Sequence, residues 1–172
     1  MLQQLIDDLR HASHGTAPEA AVKKHLQAFV ADPASASQAV PDYEQDDVIL
    51  FEDSDISIWF CRFQPGTKVP PHDHRMSATI GVFKGVERND LFSRDAQGRL
   101  RLQTSKNISA GDVLQLESDT IHGVACTSTE PSCAIHVYLG QLSTIERALY
   151  HPETGEEMAF TDAHYEQLTK DV

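Results

Sequence analysis

From Val48 to Leu139 the chain breaks into short β-rich runs, and this pattern constrains its fold more than any other feature. Eight runs fall at 48–51, 56–63, 77–83, 86–93, 99–107, 112–116, 121–126 and 133–139. Turn chemistry separates them: Glu52-Asp53-Ser54-Asp55, Gln64-Pro65-Gly66, Asp95-Ala96-Gln97-Gly98, Ser109-Ala110-Gly111-Asp112 and the stretch from Ser128 to Ser132. Short strands at this regular spacing predict an all-β sandwich or barrel, of which the jelly roll is one solution.

The segment before these runs has a different period. Leu2, Leu5, Ile6 and Leu9 recur at i, i+3, i+4 and i+7, which gives one apolar stripe on a helix. A second helix is predicted after Thr16, which stands at capping-box spacing from Glu19, with Pro18 in the first turn and a stripe of Val22, Leu26, Phe29 and Val30. Residues 32–47 are rich in turn formers and acids and read as a connection. The 172 residues therefore read as one domain: a helical extension over 1–47, a β-barrel core over 48–140 and a tail over 141–172 packed on the barrel as turns and a short strand or helix.

Charge and composition narrow the function. The formal net charge is −12. A negative surface repels phosphate backbones and anionic headgroups, so neither nucleic acid nor membrane is expected as a partner. No run is long and apolar enough for a membrane span, and the N-terminus lacks the basic and apolar regions of an export signal, so the expected location is cytoplasmic. Cys61, Cys126 and Cys133 are odd in number and form no CxxC pair. Cys126 and Cys133 could meet across a hairpin, but buried free thiols are the expectation.

The chemistry lies in Pro70-Pro71-His72-Asp73-His74. Histidines at i and i+2 on a strand share a face and can grip one metal ion. Gly66 precedes His72 by six residues, Gly85 follows His74 by eleven, and Gly111 precedes His122 by eleven. These spacings resemble the two motifs of the cupins, G-x5-H-x-H-x3,4-E-x6-G and G-x5-P-x-G-x2-H-x3-N, over roughly residues 48–140. The resemblance implies a mainly β, double-stranded β-helix (jelly-roll barrel) with N-terminal helices, and a metal held by His72, His74 and His122. The acidic position of the first motif falls at Ala78 or Thr79, and Glu117, Asp119 and Cys126 replace the proline, glycine and asparagine of the second. Three neutral histidines leave the charge of the ion uncompensated, so the site should favour an anionic ligand such as a thiolate.

Within the cupins, a three-histidine set resembles the thiol dioxygenases, which include cysteine dioxygenase and 3-mercaptopropionate dioxygenase. The run Ala134-Ile135-His136-Val137-Tyr138 is similar to that family's S-x-H-x-Y strand, with alanine in place of the serine. This implies that His136 and Tyr138 form a relay beside the metal. Arg147 resembles the arginine that takes the substrate carboxylate in the bacterial 3-mercaptopropionate enzymes, and a guanidinium fork matches a carboxylate with two parallel bonds. Arg62 shares the parity of Ile56, Ile58 and Phe60 and is a second candidate, ranked lower, on the expectation that this parity faces the barrel interior. Trp59, Phe60 and Phe63 read as core. Thr79 stands where animal cysteine dioxygenases carry a cross-linked cysteine, so the pattern resembles the bacterial, uncross-linked branch.

The implied cofactor is one Fe(II) per chain, with zinc, nickel or manganese as alternatives that the spacing does not separate. The implied partners are a small carboxylated thiol and O2, and self-association into a homo-oligomer is left open. Two other functions are compatible with the same residues: other metal-dependent chemistry such as diketone cleavage, and small-molecule binding without turnover.

Overall fold

The computed structural model describes residues 1–170. Three helices come first: α1 (Leu2–Ser13), α2 (Pro18–Val30) and α3 (Pro33–Ala39). α1 and α2 follow the predicted apolar stripes, and Leu5, Ile6, Leu9, Val22, Leu26, Phe29 and Val30 are all buried. The Thr16–Glu19 capping box does not form. Ala17 is the residue that caps α2, without a side-chain bond, and Pro18 supplies the start through its fixed φ. α3 lies in the segment read as a connection. Asp32 accepts the Ser35 backbone N–H at 3.2 Å and Pro33 opens the first turn, so a local cap suffices to form two turns there.

The strands are β1 (Asp47–Glu52), β2 (Ser57–Phe63), β3 (Lys68–His72), β4 (Ala78–Lys84), β5 (Val86–Arg94), β6 (Leu100–Ser109), β7 (Val113–Leu116), β8 (Ile121–Cys126), β9 (Ser132–Tyr138), β10 (Ala148–Tyr150) and β11 (Glu157–Ala159), followed by helix α4 (Asp162–Lys170). They form a five-stranded sheet in the order β1-β2-β9-β4-β7 and a six-stranded sheet in the order β11-β10-β3-β8-β5-β6. Every pairing is antiparallel. The two sheets face each other, as in a jelly roll. No helix among the described residues is long and apolar enough to cross a membrane. All three cysteines are free and buried.

Two apolar layers result, one on each side of the five-stranded sheet. On its outer face, the stripes of α1 and α2 pack against Ile56, Ile58, Phe60, Phe83, Ile135 and Val137. α2 lies so close to β4 that a Cβ built on Gly81 would stand 2.6 Å from Cγ of Leu26. On the inner face, Ala78, Ile80, Val82, Leu114, Leu116, Ala134 and Tyr138 pack with Ile108 and Leu91 of the opposite sheet. Because both faces are covered, both parities of β2 are apolar, and the parity of Ile56, Ile58 and Phe60 turns out to be the outer one. Arg62 follows it outward, contrary to expectation. Its guanidinium binds Asp46 at 2.6 Å, Asp42 at 3.3 Å and the Tyr43 carbonyl at 3.0 Å, well away from the barrel interior.

Candidate metal centre

β3 carries the first histidine, and its local sequence explains how. Val69 pairs with Val124 of β8, yet His72 pairs with His122, so β3 spends three residues where β8 spends two. Pro70 and Pro71 occupy the bulge, where a residue without an N–H loses no ladder bond. The bulge turns both Val69 and His72 toward the cavity between the sheets. β3 ends at His72, so His74 does not continue the strand as expected but sits in the loop beyond it.

That loop is held by Asp73, which is 4% exposed. Its carboxylate accepts the Ala148 backbone N–H at 2.9 Å and the Tyr150 hydroxyl at 2.8 Å, and forms an ion pair with Nε of Arg75 at 2.8 Å. The Asp73 N–H donates to the Ala148 carbonyl at 3.1 Å. β10, from the tail, is therefore what fixes His72 and His74 relative to each other. Arg75 adopts φ of 59°, which completes the turn, and its side chain points outward to Glu157.

The three histidines converge. Ring centroids are 4.5 Å apart for His72 and His122, and 4.9 Å for His74 with each of the others. One ligand nitrogen from each lies within 4.8 Å of the other two. His72 places Nδ1 2.9 Å from the Pro70 carbonyl, and His122 places Nδ1 2.9 Å from Oδ1 of Asn89. Both acceptors require the proton on Nδ1, so both rings present an unprotonated Nε2. His122 Nε2 is buried and has no partner among the described residues. Burial pulls the pKa of His72 down to about 4, and burial with the neighbouring imidazoles holds His74 and His122 well below the usual histidine range. Neutral, oriented imidazoles with an orphaned lone pair are the donor set a divalent ion takes. The cluster thus fits one metal ion. No carboxylate joins it among the described residues, and Ala78 and Thr79 are buried in β4.

A cavity of about 260 Å³ opens on this cluster. His136 and Tyr138 line it, on one face of β9 as their spacing predicts. Their side chains meet at 3.1 Å between Nδ1 and Oη. The Tyr138 ring lies 5.0 Å from that of His74. Burial pushes the phenol pKa well above its ordinary value and pulls that of His136 down to about 3, so the first stays protonated and the second neutral. Arg147 also lines the cavity, and its guanidinium stacks on Phe160 at 3.7 Å. It makes no ion pair among the described residues, although burial lowers its pKa.

Several lining residues were not anticipated as part of the site. Trp59, Cys61 and Phe63 face the cavity because their parity on β2 is the inner one. Burial pushes the Cys61 thiol up, with the acids Asp47 and Glu87 adding to it, so it is no thiolate competitor for the metal. Phe160 stands edge-on to His72 at 5.8 Å and against Tyr165 of α4 at 6.0 Å. No periodicity in the tail marks it. Asn89 had a faint signal, as a polar residue at the inner parity of β5.

No protein-family model matches the chain. Solved structures do resemble it. A Klebsiella pneumoniae protein with a double-stranded β-helix domain is 17% identical with a TM-score of 0.51, over 66% of this chain and 86% of that one. A Bacillus halodurans protein is 13% identical with a TM-score of 0.51, over 58% of this chain and 73% of that one. A cupin-family protein from Methanocaldococcus jannaschii is 13% identical with a TM-score of 0.48, over 60% and 88%. The fold is accordingly a double-stranded β-helix, here with helices on one sheet and a three-histidine cluster lining the cavity. At such identities the likeness speaks to the fold alone.

Proposed function

We propose that the protein is a mononuclear non-haem Fe(II) thiol dioxygenase acting on a small carboxylated thiol. The overall conversion takes a thiolate and O2 to the sulfinate. Sulfur gains both oxygen atoms and loses four electrons, and O2 accepts those four, so no outside reductant is needed. The observation that carries the reading is the pairing of three neutral, buried imidazoles with an unpaired arginine in one cavity.

An iron ion held by His72, His74 and His122 would supply open coordination positions and a redox centre for this chemistry. The chain's own residues do the rest. With no anionic protein ligand, the site leaves its positive charge to be met by the thiolate. Arg147 takes the carboxylate in a bidentate pair, and Phe160 holds the guanidinium plane. Tyr138, kept protonated by burial and set by His136, offers a hydrogen bond beside His74. The apolar walls of Val69, Val124 and Leu142 exclude water and strengthen each of these interactions.

The test is O2 consumption by anaerobically Fe(II)-loaded protein against 3-mercaptopropionate, cysteine, cysteamine and mercaptosuccinate, with His72→Ala as control. Uptake that depends on a carboxylated thiol and vanishes in the variant is the expected result. Silence across the panel with iron bound would reject the dioxygenase reading.

A further inference from the structure

Of the two ring nitrogens of His136, only one has a partner. Nδ1 meets Tyr138 Oη, but Nε2 is buried and unpartnered among the described residues. A second orphan lies on the neighbouring strand. Trp59 is the register partner of His136 between β2 and β9, so both side chains leave the same face of the sheet. Both line the central cavity. The Trp59 indole Nε1 is likewise buried without a partner.

The two orphans are complementary. An indole nitrogen can only donate, and an imidazole nitrogen without a proton can only accept. Apart from Tyr138, the residues packed beside His136 on its own strand and on β4 are apolar. Ile80 is its register partner on β4, Ala134 precedes it on the same face with a bare methyl, and Phe63 stands edge-on at 6.2 Å. A buried donor and a buried acceptor facing one cavity are the setting in which an ordered water is held.

We propose that Trp59 is a positioning residue for the His136–Tyr138 pair, its indole N–H reaching Nε2 of His136 through one bridging water. Accepting at Nε2 obliges the imidazole to carry its proton on Nδ1. Nδ1–H then donates to Tyr138 Oη, and the phenol keeps its own proton for the cavity beside His74. In the opposite tautomer the phenol proton would be spent on Nδ1, and Tyr138 would show the cavity only lone pairs. By occupying one acceptor site of the water, Trp59 biases it to donate to Nε2, and so biases Tyr138 toward donating to a bound ligand. The catalytic meaning rests on the dioxygenase reading, but the hydrogen bonding does not.

The test is nitrogen NMR on the full chain loaded with Zn(II), which keeps the site diamagnetic. Trp59 is the single tryptophan, so its indole signal needs no assignment. In the wild type, His136 should show a protonated Nδ1 and an unprotonated Nε2. Trp59→Phe keeps a ring and removes the donor, and should shift His136 toward the Nε2–H form. Ala134→Ser adds a hydroxyl on the same face and should restore the Nδ1–H form in the Trp59→Phe background. Ala134→Ser alone, which barely changes volume, should move the indole signal and keeps the test alive if Trp59→Phe does not fold. An Nε2–H form in the wild type, an unchanged tautomer in Trp59→Phe, or an indole signal indifferent to Ala134→Ser would each overturn the proposal. In the iron-loaded enzyme Trp59→Phe should lower kcat about tenfold with little change in KM. If the wild type consumes no O2 while the NMR results hold, the dioxygenase reading fails and this one stands.

Discussion

Asn89 on β5 and His122 on β8 are joined by a 2.9 Å hydrogen bond from imidazole Nδ1 to the amide oxygen, with both residues fully buried. The bond selects the His122 tautomer that turns a lone pair toward His72 and His74. Asn89→Ala should weaken metal binding by about 10- to 100-fold, the range seen for groups that orient metal-bound histidines. Competition against a chelator of known affinity checks it, and an unchanged affinity would mean packing alone sets the ring.

Arg147 should act on substrate binding more than on chemistry. Its guanidinium is unpaired and stacked on Phe160, so a carboxylate meets a pre-set fork. Arg147→Ala should raise KM for carboxylated thiols by about 10- to 100-fold, the loss of a charge-assisted pair worth roughly 1.5–3 kcal/mol. Cysteamine, which lacks the carboxylate, should be indifferent to the change. Equal losses for both kinds of thiol would remove Arg147 from the substrate's path.

Glu87 gives a pH dependence of stability that is independent of the metal. It is fully buried on β5, and burial pushes its pKa from 4.5 to about 8 against the lowering influence of the Ser132 hydroxyl. Between these values the folded chain keeps a proton that the unfolded chain releases. Stability contributed by this group is therefore complete below pH 4.5, falls as pH rises toward 8, and levels off above. The slope is at most about 1.4 kcal/mol per pH unit. Denaturant unfolding of Glu87→Gln across this window should show that part of the decline removed, and a decline identical to wild type would place the titration elsewhere.

Asp73 should matter to fold and site together. It is buried between two histidines, accepts from Ala148 and Tyr150, and pairs with Arg75. Asp73→Ala leaves a buried N–H and hydroxyl unpaired, which costs about 2–5 kcal/mol. The same change frees the loop carrying His74, so metal affinity should fall with stability. Urea unfolding with and without Zn(II) separates the two, because the stabilisation added by metal should shrink as well.

Most of the barrel is legible in the sequence. Strand positions from Val48 to Leu139 followed from alternating apolar runs and the turns between them, and nearly all ends agree within two residues. β3 was recognised only through its histidines, because Pro70 and Pro71 hide a strand whose ladder is bulged. α3 was hidden, and the short strands expected in the tail could not be placed as β10 and β11, for a different reason. They are too short to show a period, and β10 exists because β3 and Asp73 offer its backbone partners.

The three histidines were readable because their spacing against Gly66, Gly85 and Gly111 is a local property of chain and turn. Each of these glycines has a positive φ, which turns require and which leaves a mark in sequence. The second layer around them was not readable. Asn89 and Phe160 reach the site across strands or from the tail, as do the Ala148 and Tyr150 partners of Asp73, and no spacing links partners brought together by pairing.

Sequence by itself determined eight of the nine strands of the central barrel, the histidine cluster and the helical stripes, since each follows from local periodicity or turn chemistry. Tertiary structure alone decided which face of β2 looks inward. A period of two sorts residues into two faces but cannot name the inner one when helices make the outer face apolar too. Closure of the five-stranded sheet under α1 and α2 put Trp59, Cys61 and Phe63 in the cavity and sent Arg62 outside.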